Sequence, residues 1–251
     1  MDASMAPRAM RVMPRPSALS ALTAVSSSDP LAIRLEVIGS IRVRRGGRPM
    51  EAIGGPKAGA HQALGLFAFL FDRDVRGMEK DEAIELMWPE SPLPVADTAF
   101  HRTMLGLRRT LGGADEDVIE YRAGRYFLGE TTIGSSDLAE LEDLLDASGT
   151  ENEPQARITL LERCRSLNRG VYLDDCPFYG TSVFVEVRRS LVNSVMTAVL
   201  YELGDLYEAT GHPALAAMRR GEVGLLSDGA SSNRPGEVGG PDWGPLRRGR
   251  P

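Results

Sequence analysis

The sequence predicts an α+β chain: a small N-terminal sheet, three helices and a hairpin, followed by an all-α region. Three observations predict it. Apolar residues alternate with polar or small ones from Leu31 to Val43 and reach Ile53 through a turn. From Gly54 the apolar period lengthens to that of a helix and persists through three segments to Leu111. Beyond Thr131 only helical periodicity remains, until Gly, Pro, Ser and Arg take over after about Leu226.

The elements follow in order. Residues 1–30 hold Met1, Met5, Met10 and Met13, several arginines and SALSALTAVSSS. The apolar part is too short and Ala/Ser-rich for a secretory signal, so this stretch is read as a disordered leader. Leu31, Ile33, Leu35 and Val37 form one strand face, and Ile41 and Val43 continue it after Gly39-Ser40. Arg45-Gly46-Gly47-Arg48 is a turn, and Met50 to Ile53 is a third short strand. Ala60, Ala63, Leu64, Phe67, Leu70 and Phe71 share one face of a first helix. Asp81 and Glu82 suit the first turn of a second helix, where the helix dipole favours carboxylates. Ala83, Ile84, Met87 and Trp88 are its apolar stripe, Trp88 as a core anchor, and Pro89 stops it.

The third helix, 95–111, carries the chemistry. Phe100, Met104, Leu107 and Leu111 make an apolar stripe, while Thr98, Arg102, Leu105, Gly106 and Arg109 lie opposite, flanked by His101 and Arg108. A helix anchored on one side and cationic on the other is built to lie in a DNA major groove. The hairpin 118–128 turns at Ala123-Gly124 between Arg122 and Arg125, which suits phosphate contacts beside that groove. Three helices followed by an arginine-tipped hairpin read as a winged helix-turn-helix. In this reading Thr98, Arg102 and Thr103 face base edges, Arg102 being able to bond guanine bidentately. Arg108, Arg109, Arg122 and Arg125 bind phosphates, Lys57 near a helix start adds another contact, and His101 lies at the edge of the DNA-binding set.

After Thr131 a helix begins at Ser136 or Asp137, with Leu138, Leu141, Leu144 and Leu145 inward. A second holds Ile158, Leu161 and Leu167 and stops at Asn168-Arg169-Gly170. After the irregular VYLDDCPFYG, a long helix runs from about Ser182 to Thr210, and Pro213 starts another beyond Gly211. That pair has the form of a tetratricopeptide-like helical hairpin. The expected division is a leader (1–30), a winged helix domain (31–130), a helical domain (131–225) and a disordered tail (226–251).

With a net charge of −6 and a pI near 5.3, the chain is not a non-specific nucleic-acid coat, although clustered cations still permit site-specific binding. The two cysteines and three histidines show no metal-ligand spacing, and no metal or cofactor is expected. No apolar run approaches membrane-spanning length, and a cytoplasmic location is expected. Gly54-Gly55-Pro56-Lys57 lacks the spacing of a phosphate loop. His101 with Asp97 has no third ligand or nucleophile nearby, so the chain is not read as an enzyme.

The segments RLEVIGSIRVRRGGRPM, IGGPKAGAHQALGLFAFLF, EKDEAIELMW, TAFHRTMLGLRRTLG and VIEYRAGRYFL together resemble the OmpR/PhoB-type DNA-binding domain, in the form carried by the SARP family of bacterial transcriptional activators. Residues 131 to about 225 are similar, more loosely, to the helical bacterial transcriptional activator domain of that family. The resemblance implies a leading sheet, a DNA-reading third helix, a wing, and contacts with double-stranded DNA, RNA polymerase and a second protomer. Two departures stand out: Gly106 replaces an arginine usual in relatives, removing a phosphate contact, and the helical domain is cut short. The sequence leaves one rival from another class, a protein–protein interaction scaffold of the same architecture that does not touch DNA.

Overall fold

The computed structural model describes residues 33–50, 53–54, 60–73, 76–112, 118–129, 133–176 and 183–231. The leader, Lys57 and the chain beyond Ser231 lie outside them.

The described residues open with β1 (Ile33–Glu36), β2 (Arg42–Arg45) and β3 (Arg48–Pro49), an antiparallel meander in which Ile33 lies opposite Arg45 and Arg45 opposite Arg48. The third strand is described at Arg48–Pro49; of the expected Met50 to Ile53, residues 51 and 52 lie outside the described residues. Gly46 and Gly47, at φ 54° and 77°, close a two-residue turn so tightly that pairing resumes at Arg48. Met50 still donates its amide to the Val43 carbonyl at 2.8 Å.

Next come α1 (Ala60–Arg73), α2 (Lys80–Met87) and α3 (Leu93–Leu111). Helix α1 is not the one-sided helix that its stripe predicts: every residue from Gly65 to Arg73 is buried. Its periodicity is that of a central helix, surrounded on all sides. Trp88 ends α2 half-buried against the core, as expected of an anchor. Helix α3 starts at Leu93, before the expected residue 95, because Pro94 is tolerated in a first turn whose amides need no intrahelical acceptor.

The wing is β4 (Ile119–Arg122) and β5 (Arg125–Leu128), paired so that Arg122 faces Arg125. The Met78 amide donates to Tyr126 at 2.8 Å and the Tyr126 amide returns the bond at 2.9 Å, fastening β5 to the segment before α2. Then β6 (Ser135–Ser136) returns to the first sheet and lies parallel to β1, giving the order β3-β2-β1-β6.

Four further helices follow among the described residues: α4 (Asp137–Thr150), α5 (Pro154–Leu167), α6 (Val183–Ala209) and α7 (Pro213–Ser231). Ser136 caps α4 by accepting the Ala139 amide at 3.1 Å. Gly211, at φ 82°, turns α6 into α7, which continues past Leu226 to Ser231. The architecture is thus a small sheet with a winged helix-turn-helix, followed by an all-α region.

Buried polar contacts join the two parts. The Asp137 carboxylate accepts the amides of Val37 at 2.8 Å and Ile38 at 2.9 Å and an Arg169 N–H at 3.1 Å. Tyr172, fully buried, donates its hydroxyl to Asp72 at the end of α1, and Arg188 of α6 lies 3.1 Å from the same carboxylate. Burial pushes the Tyr172 phenol well above its ordinary range, so it remains a donor.

Candidate nucleic-acid interface

Helix α3 is held by Ala96, Phe100, Met104, Leu107 and Leu111, all buried. Stripe and helical period leave one face outward: Val95, Thr98, Arg102, Leu105 and Arg109, at alternating steps of three and four, all exposed. Arg102 and Arg109 make no ion pair or side-chain hydrogen bond with any described residue. Thr98 lies on the same face, its hydroxyl donating to the Pro94 carbonyl at 2.9 Å and keeping its oxygen as an acceptor.

Other expected residues sit differently. Thr103 is half-buried and donates its hydroxyl to Ala99 at 2.8 Å, so it stands beside the outward face and not on it. Arg108 is half-buried and donates to the Ile119 carbonyl at 3.1 Å, tying α3 to the wing. Gly106, expected on the outer face as a lost phosphate contact, is a packing residue. A Cβ there would stand 2.8 Å from the Gly54 carbonyl oxygen. The turn at Ile53-Gly54 leans on α3 at this point, and the Gly54 amide donates to the Thr110 hydroxyl at 3.0 Å.

The wing packs on the flank of α3 that carries His101. Phe100 meets Tyr126 edge-on at 5.3 Å, Tyr126 meets Tyr121 at 4.7 Å, and His101 packs against Phe100 at 5.5 Å. At the tip, Arg122 is exposed and lies over the Phe127 ring at 4.3 Å. Its nearest carboxylate oxygen, on Glu120, is 3.8 Å away. Arg125 is committed to the protein: it donates to the Arg76 carbonyl at 2.9 Å and pairs with Glu79. The two wing arginines therefore differ: Arg122 keeps only a long, exposed ion pair with Glu120, whereas Arg125 braces the hairpin.

One carboxylate lies near the start of α3. Asp97 bonds the Lys80 ammonium at 2.7 Å, with His101 Nε2 3.6 Å away. The Lys80 hydrogen bond holds the Asp97 carboxyl below its ordinary value, and the same bond raises Lys80. The acid is thus neutralised locally instead of opposing an approaching polyanion. Sequence reasoning missed Lys80, Val95 and Tyr121. Helical phase gives Val95 once the helix is started at Leu93, but Lys80 depends on how α2 crosses α3.

No group of three or more His, Cys, Asp or Glu side chains able to hold a metal occurs among the described residues. No helix among them is long and apolar enough to cross a membrane.

No family profile matches the chain, and no curated protein does. Among solved structures it is similar to EmbR of Mycobacterium tuberculosis, determined in complex with a low-affinity phosphopeptide, at 21% identity and a TM-score of 0.49. The match covers 80% of this chain and 56% of that one.

Proposed function

We propose that this chain is a sequence-specific, DNA-binding transcriptional regulator of the SARP type, acting as an activator in the cytoplasm. Helix α3 enters the major groove and the wing lies on the adjoining backbone. The observation that carries this reading is the outward face of α3. It presents Thr98, Arg102 and Arg109 to solvent with both guanidinium groups unengaged by described residues, beside a hairpin whose tip exposes Arg122. Arg102 reads guanine, Arg109 and Arg122 hold phosphates, and His101, Arg108 and Lys57 add backbone contacts at the margins. The helical region beyond Thr131 contacts RNA polymerase or a second protomer.

A gel shift with DNA from the protein's own promoter region, repeated over a salt titration, tests the reading. Binding is expected to weaken steeply with salt, because each phosphate contact releases counterions. Arg102→Ala is expected to cost about 1–3 kcal/mol at one base position and relax its identity. Arg122→Ala is expected to weaken all sequences alike and to lower the salt slope by about one. Absent or salt-insensitive DNA binding would favour the interaction scaffold.

A further inference from the structure

Two aliphatic side chains share the groove-facing side of α3 with the arginines. Val95 is 59% exposed and Leu105 47% exposed. Of the nine large hydrophobic side chains exposed among the described residues, four (Leu93, Val95, Leu105 and Tyr121) belong to α3 or the wing and five to α6 and α7. What sets Val95 and Leu105 apart is that they alternate with Thr98, Arg102 and Arg109 on one helical face. Single exposed leucines are ordinary, but aliphatic groups interleaved with Arg102 and Arg109 on one face need a surface that is both anionic and locally apolar. The major groove offers that combination: phosphates at its walls and, on its floor, the C5-methyl group of thymine as its apolar element.

We infer that Leu105, with Val95 farther along the helix, reads thymine methyl groups next to the guanine contacted by Arg102. This rests on the DNA-binding reading and specifies the sequence class it recognises. Leu105 follows Arg102 by about 4.5 Å along the helix axis, close to one base-pair step of about 3.4 Å. Val95 precedes Arg102 by about 10.5 Å, or roughly three steps. A site read by this face therefore holds a guanine with a thymine at the neighbouring step on the Leu105 side and a second thymine about three steps away on the other. Thr98, between Val95 and Arg102, tolerates either base type through its hydroxyl.

The test removes only the methyl group. Full-length protein selects its site from random duplexes, and affinity is then measured on probes in which each thymine in turn is replaced by deoxyuridine. The wild-type chain is expected to lose about fourfold in affinity at the Leu105 position, the factor expected for burying one methyl group. Leu105→Ala is expected to bind the thymine and deoxyuridine probes equally at that position. Val95→Ala is expected to abolish the discrimination only at the outer one. Circular dichroism verifies that these exposed substitutions leave the fold intact. Specific, salt-dependent binding that ignores every thymine-to-deoxyuridine exchange overturns the inference and leaves the DNA-binding reading standing. So does full methyl discrimination surviving in Leu105→Ala. Absence of any sequence-selective binding overturns both.

Discussion

At the scale of single residues, three small side chains set the geometry of α3 and the wing. Gly106 is the contact point between α3 and the Ile53-Gly54 turn, where an added Cβ would stand 2.8 Å from a backbone carbonyl oxygen. A carbonyl in a turn yields less readily than a flexible side chain. Gly106→Ala sets a helix-propensity gain of about 1 kcal/mol against overpacking of about 1–3 kcal/mol. A net loss on the order of 1 kcal/mol is expected in urea unfolding, and a gain would show that the turn moves freely. Gly77 is more constrained. It sits at φ 67°, and a Cβ there would approach the Phe127 ring to 2.5 Å, so Gly77→Ala is expected to cost more and to loosen the wing. Ala123 is the reverse case. It occupies the first central position of the wing turn at φ 50°, where asparagine is favoured. Ala123→Asn is expected to raise stability by several tenths of a kcal/mol, measurable as a rise in melting temperature.

At the scale of elements, α3 is held at both flanks and at its end. Arg108 fixes the wing, the Ile53-Gly54 turn leans on the other flank, and Arg45 of β2 donates to the Leu111 carbonyl at its C-terminus. A cation there complements both the unsatisfied carbonyl and the negative end of the helix dipole. Helix α4 is braced through Glu140, which pairs with Arg34 of β1 and Arg163 of α5, each at 2.6 Å. Burial alone would raise the Glu140 carboxyl, but the two arginines outweigh it and hold it below 4.5. A carboxyl lowered in the folded state contributes stability above its unfolded value and loses it as pH falls through the folded one. Asp137 acts in the opposite sense, since burial raises it despite the Val37 and Ile38 amides and Arg169. The clean readout is therefore the difference made by Glu140→Gln, which is expected to flatten the loss of stability as pH falls from the ordinary glutamate range through the lowered folded value. An unchanged slope would show that the clamp is not electrostatic. The stripe of α3, the wing turn and the capping Ser136 were all legible in the sequence, because each is written in residues a few places apart. The all-round burial of α1 was not, because one helical stripe looks the same whether or not the opposite face is also covered.

At the scale of the molecule, what escaped the sequence is the joint between its two parts. The bonds that make it, Asp137 to Val37 and Tyr172 to Asp72, join residues about a hundred positions apart, and no local pattern announces such a pairing. The expected division near residue 130 is crossed by β6, which adds to the first sheet, and by one buried apolar cluster running from Ile33 to Leu203. The arginines of the outward face of α3 were legible for the converse reason: helical phase alone places Arg102 and Arg109 opposite Phe100 and Leu107. Their unequal neighbours on the wing were not, since Arg125 is occupied by Glu79 and Arg76, distant in sequence. A shared core implies that the two parts unfold together, and Asp72 is the place to test it. Its carboxylate is nearly inaccessible, and Arg188 is the cation that compensates it. Arg188→Ala leaves that charge, among the described residues, with the Tyr172 hydroxyl, which is expected to cost on the order of 2 kcal/mol. Trp88 fluorescence, read in a Trp243→Phe background, follows the winged part, whereas far-ultraviolet circular dichroism follows all the helices. In the wild-type chain the two unfolding curves are expected to coincide, and in Arg188→Ala both midpoints are expected to fall together. A shift confined to the circular dichroism curve would mean that the helical region melts separately and that the Asp72 contact does not couple it to the winged part.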